Sequence, residues 1–313
     1  MASRSAWSSI VAIAAFALLM ISLKLVVFNQ QESHSTIRAA VSSYIGGIIT
    51  TKVDCEKNRV ESCEIEDLKN GVIKPPGSGF VHPAGNTKVS QSQEGQDVYV
   101  DKLLGQKRGG FYLEVGGSDG FTLSNTLFLE TEREWSGLLI EADPNRFKTL
   151  LSRNRRVYSL KACLSPTEKS GPFEWLMLNQ MGGLKESHVF QASRKKAATD
   201  VMYCYAFGSV MAALGVTRVD YFSLDIEGAE IPVLKTIPWT TIYIDVITVE
   251  YRCFSGEGVG WGYDLKETRQ KLIDIDSIVL GTGLFKRIAI LPGGTNMTQA
   301  VMNGGLDVVY KHV

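Results

Sequence analysis

From about Gln91 onward the chain alternates short apolar runs with amphipathic ones, and that alternation restricts the fold more than any other feature. Gln96–Leu104 has helical spacing, Phe111–Val115 is a short apolar strand, Ser124–Thr131 reads as helix and Ser136–Ile140 as a second strand. Pro144–Arg153 is an amphipathic helix with Phe147, Leu150 and Leu151 on one side, and Val157–Leu164 is a third strand. An irregular stretch, Pro172–Ala206, comes next. A helix near Phe207–Leu214, a strand at Asp220–Leu224 and a helix at Ala229–Ile237 follow. Ile242–Tyr251 is the most β-branched strand, and a helix begins at Asp264. Phe285–Leu291 and Leu306–Tyr310 close the chain as two strands with no helix between them. Strand–helix alternation implies an α/β fold: a parallel sheet, helices on both faces, right-handed crossovers. The two final strands predict an antiparallel C-terminal edge, as a hairpin or as splayed neighbours.

The chain has 313 residues, a formal net charge of zero and 44% hydrophobic residues, enough for one sizeable domain with appendages. Balanced charge argues against nucleic acid as a partner, since phosphate binding needs a basic surface. The local runs Arg153–Arg156 and Arg194–Lys196 read as solvated faces. His34, His82, His188 and His312 lie far from one another and from the cysteines, so no metal site is expected.

Ahead of the domain, Trp7–Leu23 carries no charge, and the apolar character resumes after Lys24 as far as Phe28. Residues 7–28 suffice to cross a bilayer if Lys24 snorkels. The run is long for a cleaved signal sequence and no Ala-x-Ala site follows, so an uncleaved signal anchor is the favoured reading. Its flanking charges lean toward a type II single span, residues 1–6 forming a short cytoplasmic tail and the body lying in the lumen. Residues 29–89 read as a stem punctuated by Lys74–Gly79 and His82–Gly85, with a short helix near Ile37–Thr50, and the domain occupies 90–313. The sequon Asn296-Met-Thr298 and a disulfide between Cys55 and Cys63 would suit the lumen, whereas Cys163, Cys204 and Cys253 read as small buried residues.

In a parallel sheet, ligands bind at the carboxyl ends of the strands, near the point where the strand order reverses. Three acidic stretches fall there. Glu114-Val-Gly116-Gly117-Ser-Asp-Gly120 provides a tight turn whose backbone can approach a ligand, with Glu114 able to hold a cationic group. Glu141 ends the second strand about twenty residues later, where a carboxylate can accept from both hydroxyls of a ribose. Asp225-Ile-Glu227-Gly228 ends the fourth strand. Each motif has a plain structural reading as well: a turn, or a helix cap, the latter above all for Asp143 before Pro144.

Two other chemistries compete for the same loop. Gly116-x-Ser118-x-Gly120 fits the nucleophile elbow of a serine hydrolase, but an acid and then a histidine should follow, and the elbow belongs in mid-sheet rather than after the first strand. The loop lacks the second glycine of Gly-x-Gly-x-x-Gly, so a nicotinamide dehydrogenase fits imperfectly.

Ser92–Asp97, Phe111–Gly120, Ser124–Thr126, Gly137–Pro144 and, most specifically, Val219–Glu230 resemble the FkbM-type methyltransferase family over about Ser90 to the end. With the apolar N-terminus and stem, the chain is similar to a membrane-bound, Star-like branch of that family. The resemblance implies a class I methyltransferase-like Rossmann fold binding S-adenosylmethionine. Glu114, Gly116, Gly117 and Gly120 would frame the methionine part, Glu141 with Asp143 would hold the ribose side, and Asp225, assisted by Glu227, would act as general base for O-methyl transfer to an acceptor such as a glycan hydroxyl. The branch also implies an endoplasmic reticulum or Golgi location and an alternative role without catalysis, assisting export of membrane-bound growth-factor precursors as cargo. Two departures stand out: Gly117-Ser118 replaces the family's common Ala-Asn, and no acid follows the third strand, where Cys163-Leu164-Ser165 stands in place of a group that would read the adenine amine.

Overall fold

The computed structural model describes residues 61–83, 89–177, 182–186, 198–255, 262–292 and 306–313. The expected span at 7–28, the helix at 37–50, Cys55, His188, Arg194–Lys196 and Asn296 lie outside them. Among the described residues no helix is long and apolar enough to cross a membrane.

An eight-stranded sheet carries the fold. Its strands are β1 (Ile73–Lys74), β2 (Phe111–Val115), β3 (Ser136–Glu141), β4 (Tyr158–Lys161), β9 (Arg218–Leu224), β10 (Tyr243–Glu250), β13 (Phe285–Leu291) and β14 (Asp307–His312). They run in the order β1-β4-β3-β2-β9-β10-β14-β13. The five strands from β4 to β10 are parallel, while β1, β14 and β13 each pair antiparallel with their neighbours. This is the expected mostly parallel sheet with an antiparallel C-terminal end, in one respect altered. The last strand, β14, does not form the edge: it inserts between β10 and β13. Val308–Tyr310 are fully buried there, which explains why three consecutive residues are apolar rather than alternating.

Period-two alternation assigns side chains to the two faces. Leu113 and Val115 of β2 join Leu138, Ile140, Phe222, Leu224 and Ile247 on one face. Helices α5 (Phe207–Leu214), α6 (Glu230–Thr236) and α7 (Leu265–Gly281) contribute residues to that cluster. Tyr112, Leu139, Tyr221, Val246 and Val309 line the other face. There α2 (Gln96–Leu103), α3 (Leu127–Arg133) and α4 (Pro144–Ser152) contribute Val100, Leu129 and Leu150. The start of α4 has a clear local cause: Asp143 accepts hydrogen bonds from the backbone N–H of Asn145 and Arg146, with Pro144 at the first helical position.

Three expectations need correction. The stem does not extend to residue 89. After α1 (Glu61–Asp67) and a π-helical turn (Leu68–Val72), β1 pairs with β4, and Leu68 and Ile73 belong to the core. The irregular stretch, with the end of the segment expected as a single third strand (Val157–Leu164), forms a second, four-stranded sheet. It comprises β5 (Cys163–Leu164), β6 (Gly171–Leu176), β7 (Gly183–Leu184) and β8 (Thr199–Tyr205), ordered β5-β8-β6-β7. Its Cys163 and Cys204 are register partners joined by a disulfide, 4.4 Å apart at Cα, rather than two separate small residues. Cys253 is a buried free thiol, as read. Cys63 is itself disulfide-bonded. Finally, Arg155 does not lie on a solvated face: it is 2% exposed and paired with Glu130.

Candidate active site

The chain runs from β2 outward to β3 and β4, then returns to β9 on the far side of β2. The strand order therefore reverses between β2 and β9, where the loops after them are forced apart and leave a crevice. A cavity of about 270 Å³ lies there, lined by the loops after β2, β3, β9 and β10 and by the second sheet.

Gly116 is held by packing. It adopts φ +92°, and a Cβ placed on it would lie 1.8 Å from the Asp225 carbonyl oxygen. The two expected loops thus touch backbone to backbone, and only glycine permits that approach. Gly117 and Gly120 abut Leu150 of α4 in the same way, at ordinary to tight contact. Ser118 adopts the left-handed region at φ 48°, which asparagine tolerates well, so the family's residue there has a conformational reason. The Ser118 N–H nonetheless donates to Glu141 Oε2 at 2.7 Å, an interaction that any residue supplies. Its hydroxyl accepts from Arg146 at 2.9 Å, while His312 packs on Tyr243 and Phe285 at the start of β10 and of β13. The elbow reading finds no support.

Glu141 ends β3 on the cavity wall. Its other oxygen accepts the Asp143 N–H at 2.7 Å, leaving each oxygen a free lone pair. Burial raises its pKa to about 7, with the Asp143 charge adding to the rise and the two backbone hydrogen bonds opposing it. Asp143 was expected among the cofactor contacts; its carboxylate is instead committed to the α4 N-cap and does not line the cavity. Glu114 lines the cavity, but its carboxylate accepts Ser124 Oγ at 3.0 Å, Asn125 N at 2.7 Å and Thr126 Oγ1 at 2.5 Å. It shapes the Ser124–Thr126 turn, and its burial pushes its pKa up. Arg155, also fully buried, bonds Glu130, the Gly120 carbonyl at 2.7 Å and Tyr112 Oη at 2.8 Å beneath this loop.

Asp225 and Glu227 both line the cavity, with Glu227 at φ 57°. Asp225 remains partly exposed. Burial of its carboxyl, with the neighbouring Glu230 charge, raises its pKa to about 6. Its hydrogen-bond partner is Glu250, at the end of β10, whose own pKa burial and the Asp225 charge push well above the carboxylate range. Sequence reasoning overlooked Glu250, although it obeys the rule that found Glu141 and Asp225: an acid at the carboxyl end of a parallel strand. Asn125 donates to Ser223 Oγ at 3.0 Å across the floor. The wall after β4, where no acid stands, is apolar: Ala162, Cys163, Leu164, Trp175 and Leu184 line it.

The fold and this cavity define a nucleotide-cofactor domain of the class I methyltransferase type. The family profile of the methyltransferase FkbM domain matches residues 114–278, and the chain belongs to that family. No curated protein matches the sequence. Among solved structures, the chain is similar to a TehB-like SAM-dependent methyltransferase from Corynebacterium glutamicum (11% identity, 74% of this chain and 91% of that one, TM-score 0.38). It is also similar to a SAM-dependent methyltransferase from Aquifex aeolicus (12% identity, 71% and 95%, TM-score 0.36). The family assignment rests on the sequence profile.

Proposed function

We propose that the chain is an S-adenosylmethionine-dependent O-methyltransferase acting on a hydroxyl. The observation that carries this reading is the convergence, in one cavity, of a ribose-type acceptor (Glu141), a glycine loop held against β9 and a partly exposed carboxylate (Asp225) at the switch point. The donor set fits the cofactor. Glu141 has lone pairs free for a diol, the slot around Trp175 and Leu184 offers apolar walls to a base, and Gly116–Ser118 lie between them and Asp225. The cofactor supplies an activated methyl group on a sulfonium. The chain holds it by these contacts and takes the acceptor's proton: Asp225, ionised above about pH 6, removes the hydroxyl proton as the oxygen is alkylated. Glu250 shares a hydrogen bond with Asp225 and holds it in place.

A lumenal setting is part of the proposal. Two features support it: the Cys163–Cys204 disulfide and a disulfide-bonded Cys63, both of which favour an oxidising compartment. On this reading residues 7–28 anchor the protein in the endoplasmic reticulum or Golgi membrane, Asn296 carries a glycan, and the acceptor is a glycan hydroxyl. Calorimetry with S-adenosylmethionine tests the core claim. Micromolar binding that Glu141→Ala abolishes is expected; a folded protein that binds none would instead favour a non-catalytic role in cargo export. Endoglycosidase treatment of protein expressed in cells checks the topology, and no mobility shift would remove it.

A further inference from the structure

Four ionisable side chains from four elements converge beneath the acceptor side of the cavity: Asp225 after β9, Glu230 on α6, Glu250 at the end of β10 and Lys271 on α7. The three acids each offer an oxygen within 4.8 Å of the others, a spacing that suits a divalent cation with oxygen ligands. Such a set cannot remain ionised in the interior without positive charge beside it. Glu227, Glu114 and Asp307 add negative charge from the loop after β9, from β2 and from β14, so the demand for a cation is larger than three residues suggest.

Lys271 places one buried positive charge against this set. It is 7% exposed, and its Nζ lies 2.9 Å from Glu230 Oε2. The two form a close, buried ion pair, and neither atom has another hydrogen-bond partner among the described residues. The other oxygen of Glu230 accepts the N–H groups of Ile226 (2.9 Å) and Gly228 (3.2 Å), so the same pair fixes the loop that follows Asp225.

We propose that the Lys271 ammonium takes the place of a divalent cation in this cluster. It is the fixed positive charge beside Asp225, Glu230 and Glu250, and its removal turns the same carboxylates into a site for a hard divalent cation of the Mg²⁺ or Mn²⁺ class. Lys271 is thus a positioning residue that acts through the acids. The charge assignment stands apart from methyl transfer; only the accompanying expectation, that turnover withstands chelators, rests on the proposed function.

The test is Mn²⁺ titration of the chelator-treated full chain, with free Mn²⁺ followed by its electron paramagnetic resonance signal. The wild type should leave Mn²⁺ free. Lys271→Ala should bind one Mn²⁺ at least about tenfold more tightly than the wild type, in the weak-site range near 10⁻⁴ M. Glu230→Gln added to that variant should abolish the binding. Thermal melting gives the second readout: Mn²⁺ should raise the Tm of Lys271→Ala and of Lys271→Gln, and should rescue refolding if either is unfolded without metal. Wild-type binding that Glu230→Gln removes would overturn the assignment. So would the failure of both lysine variants to respond to Mn²⁺, folded or not. A wild type that behaves as expected yet transfers no methyl group would refute the function and leave Lys271's role standing.

Discussion

Replacing Arg155 by methionine should cost this domain about 3–5 kcal/mol, the range for breaking a buried ion pair from one side. The structure places the value in that range rather than near a surface pair. Arg155 and Glu130 side chains are each 1% exposed, so the orphaned Glu130 would have no water to turn to. The guanidinium also bonds the Gly120 carbonyl at 2.7 Å and Tyr112 Oη at 2.8 Å, and it tempers the negative charge of Glu114. Thermal melting followed by circular dichroism should show a Tm lower by about 6–20 °C, taking about 2–4 °C per kcal/mol for a domain of this size. Salt should change the loss little, because a buried pair is weakly screened. Glu130→Met added to Arg155→Met should recover about 2–3 kcal/mol, since two missing charges cost less than one. A single variant that loses under about 1 kcal/mol, or two variants whose losses simply add, would refute the claim that the pair is a buried, coupled unit.

Cofactor affinity should rise with pH through about 7 in the wild type as Glu141 ionises and becomes the stronger acceptor; Glu141→Gln should flatten the profile in calorimetry and lower affinity about 10–100-fold. The same group predicts the opposite slope for stability. Its folded pKa, about 7, lies above the ordinary 4.5, so the folded state binds the extra proton between those values and the stabilisation is lost as pH rises through that window, a slope that Glu141→Gln should remove from urea titrations. Methyl transfer should fall below about pH 6 as Asp225 protonates, and Asp225→Asn should lower kcat by about 10²–10⁴-fold with little change in cofactor affinity. The Cys163→Ser/Cys204→Ser double variant should lose about 4 kcal/mol, as expected for a bridge closing a loop of sequence separation 41, read as a lower Tm.

The parallel half of the sheet was legible in the sequence because its strands are buried on both faces and read as mostly apolar, β-branched or aromatic runs. Ile242–Tyr251 is the plainest case. The β14 insertion was not legible, since periodicity says nothing about which neighbours a strand will choose. The second sheet escaped notice for a related reason. β6 carries a proline and β8 begins Thr-Asp-Val, with Val201 66% exposed, so neither shows the apolar alternation of a half-buried strand. At the site, Glu141 and Asp225 were found by position at strand ends. Glu250 stands at a strand end by the same rule and was passed over, whereas Lys271 was not legible, because a buried charge is recognised by its partner, and Lys271 lies on a helix far along the chain from Glu230. Arg155 was misread for the same reason: inside a basic run, nothing distinguishes the arginine that turns inward.

The placement of β14 governs when this protein can fold as it is made. A nascent chain that has reached β13 still has β10 and β13 with their hydrogen-bonding edges open, because the strand that belongs between them has yet to leave the ribosome. Leu306 and Asp307, beside Glu250, arrive with it. Assembly of the cavity must therefore wait for translation through His312, which leaves an interval in which those edges stay open to pairing.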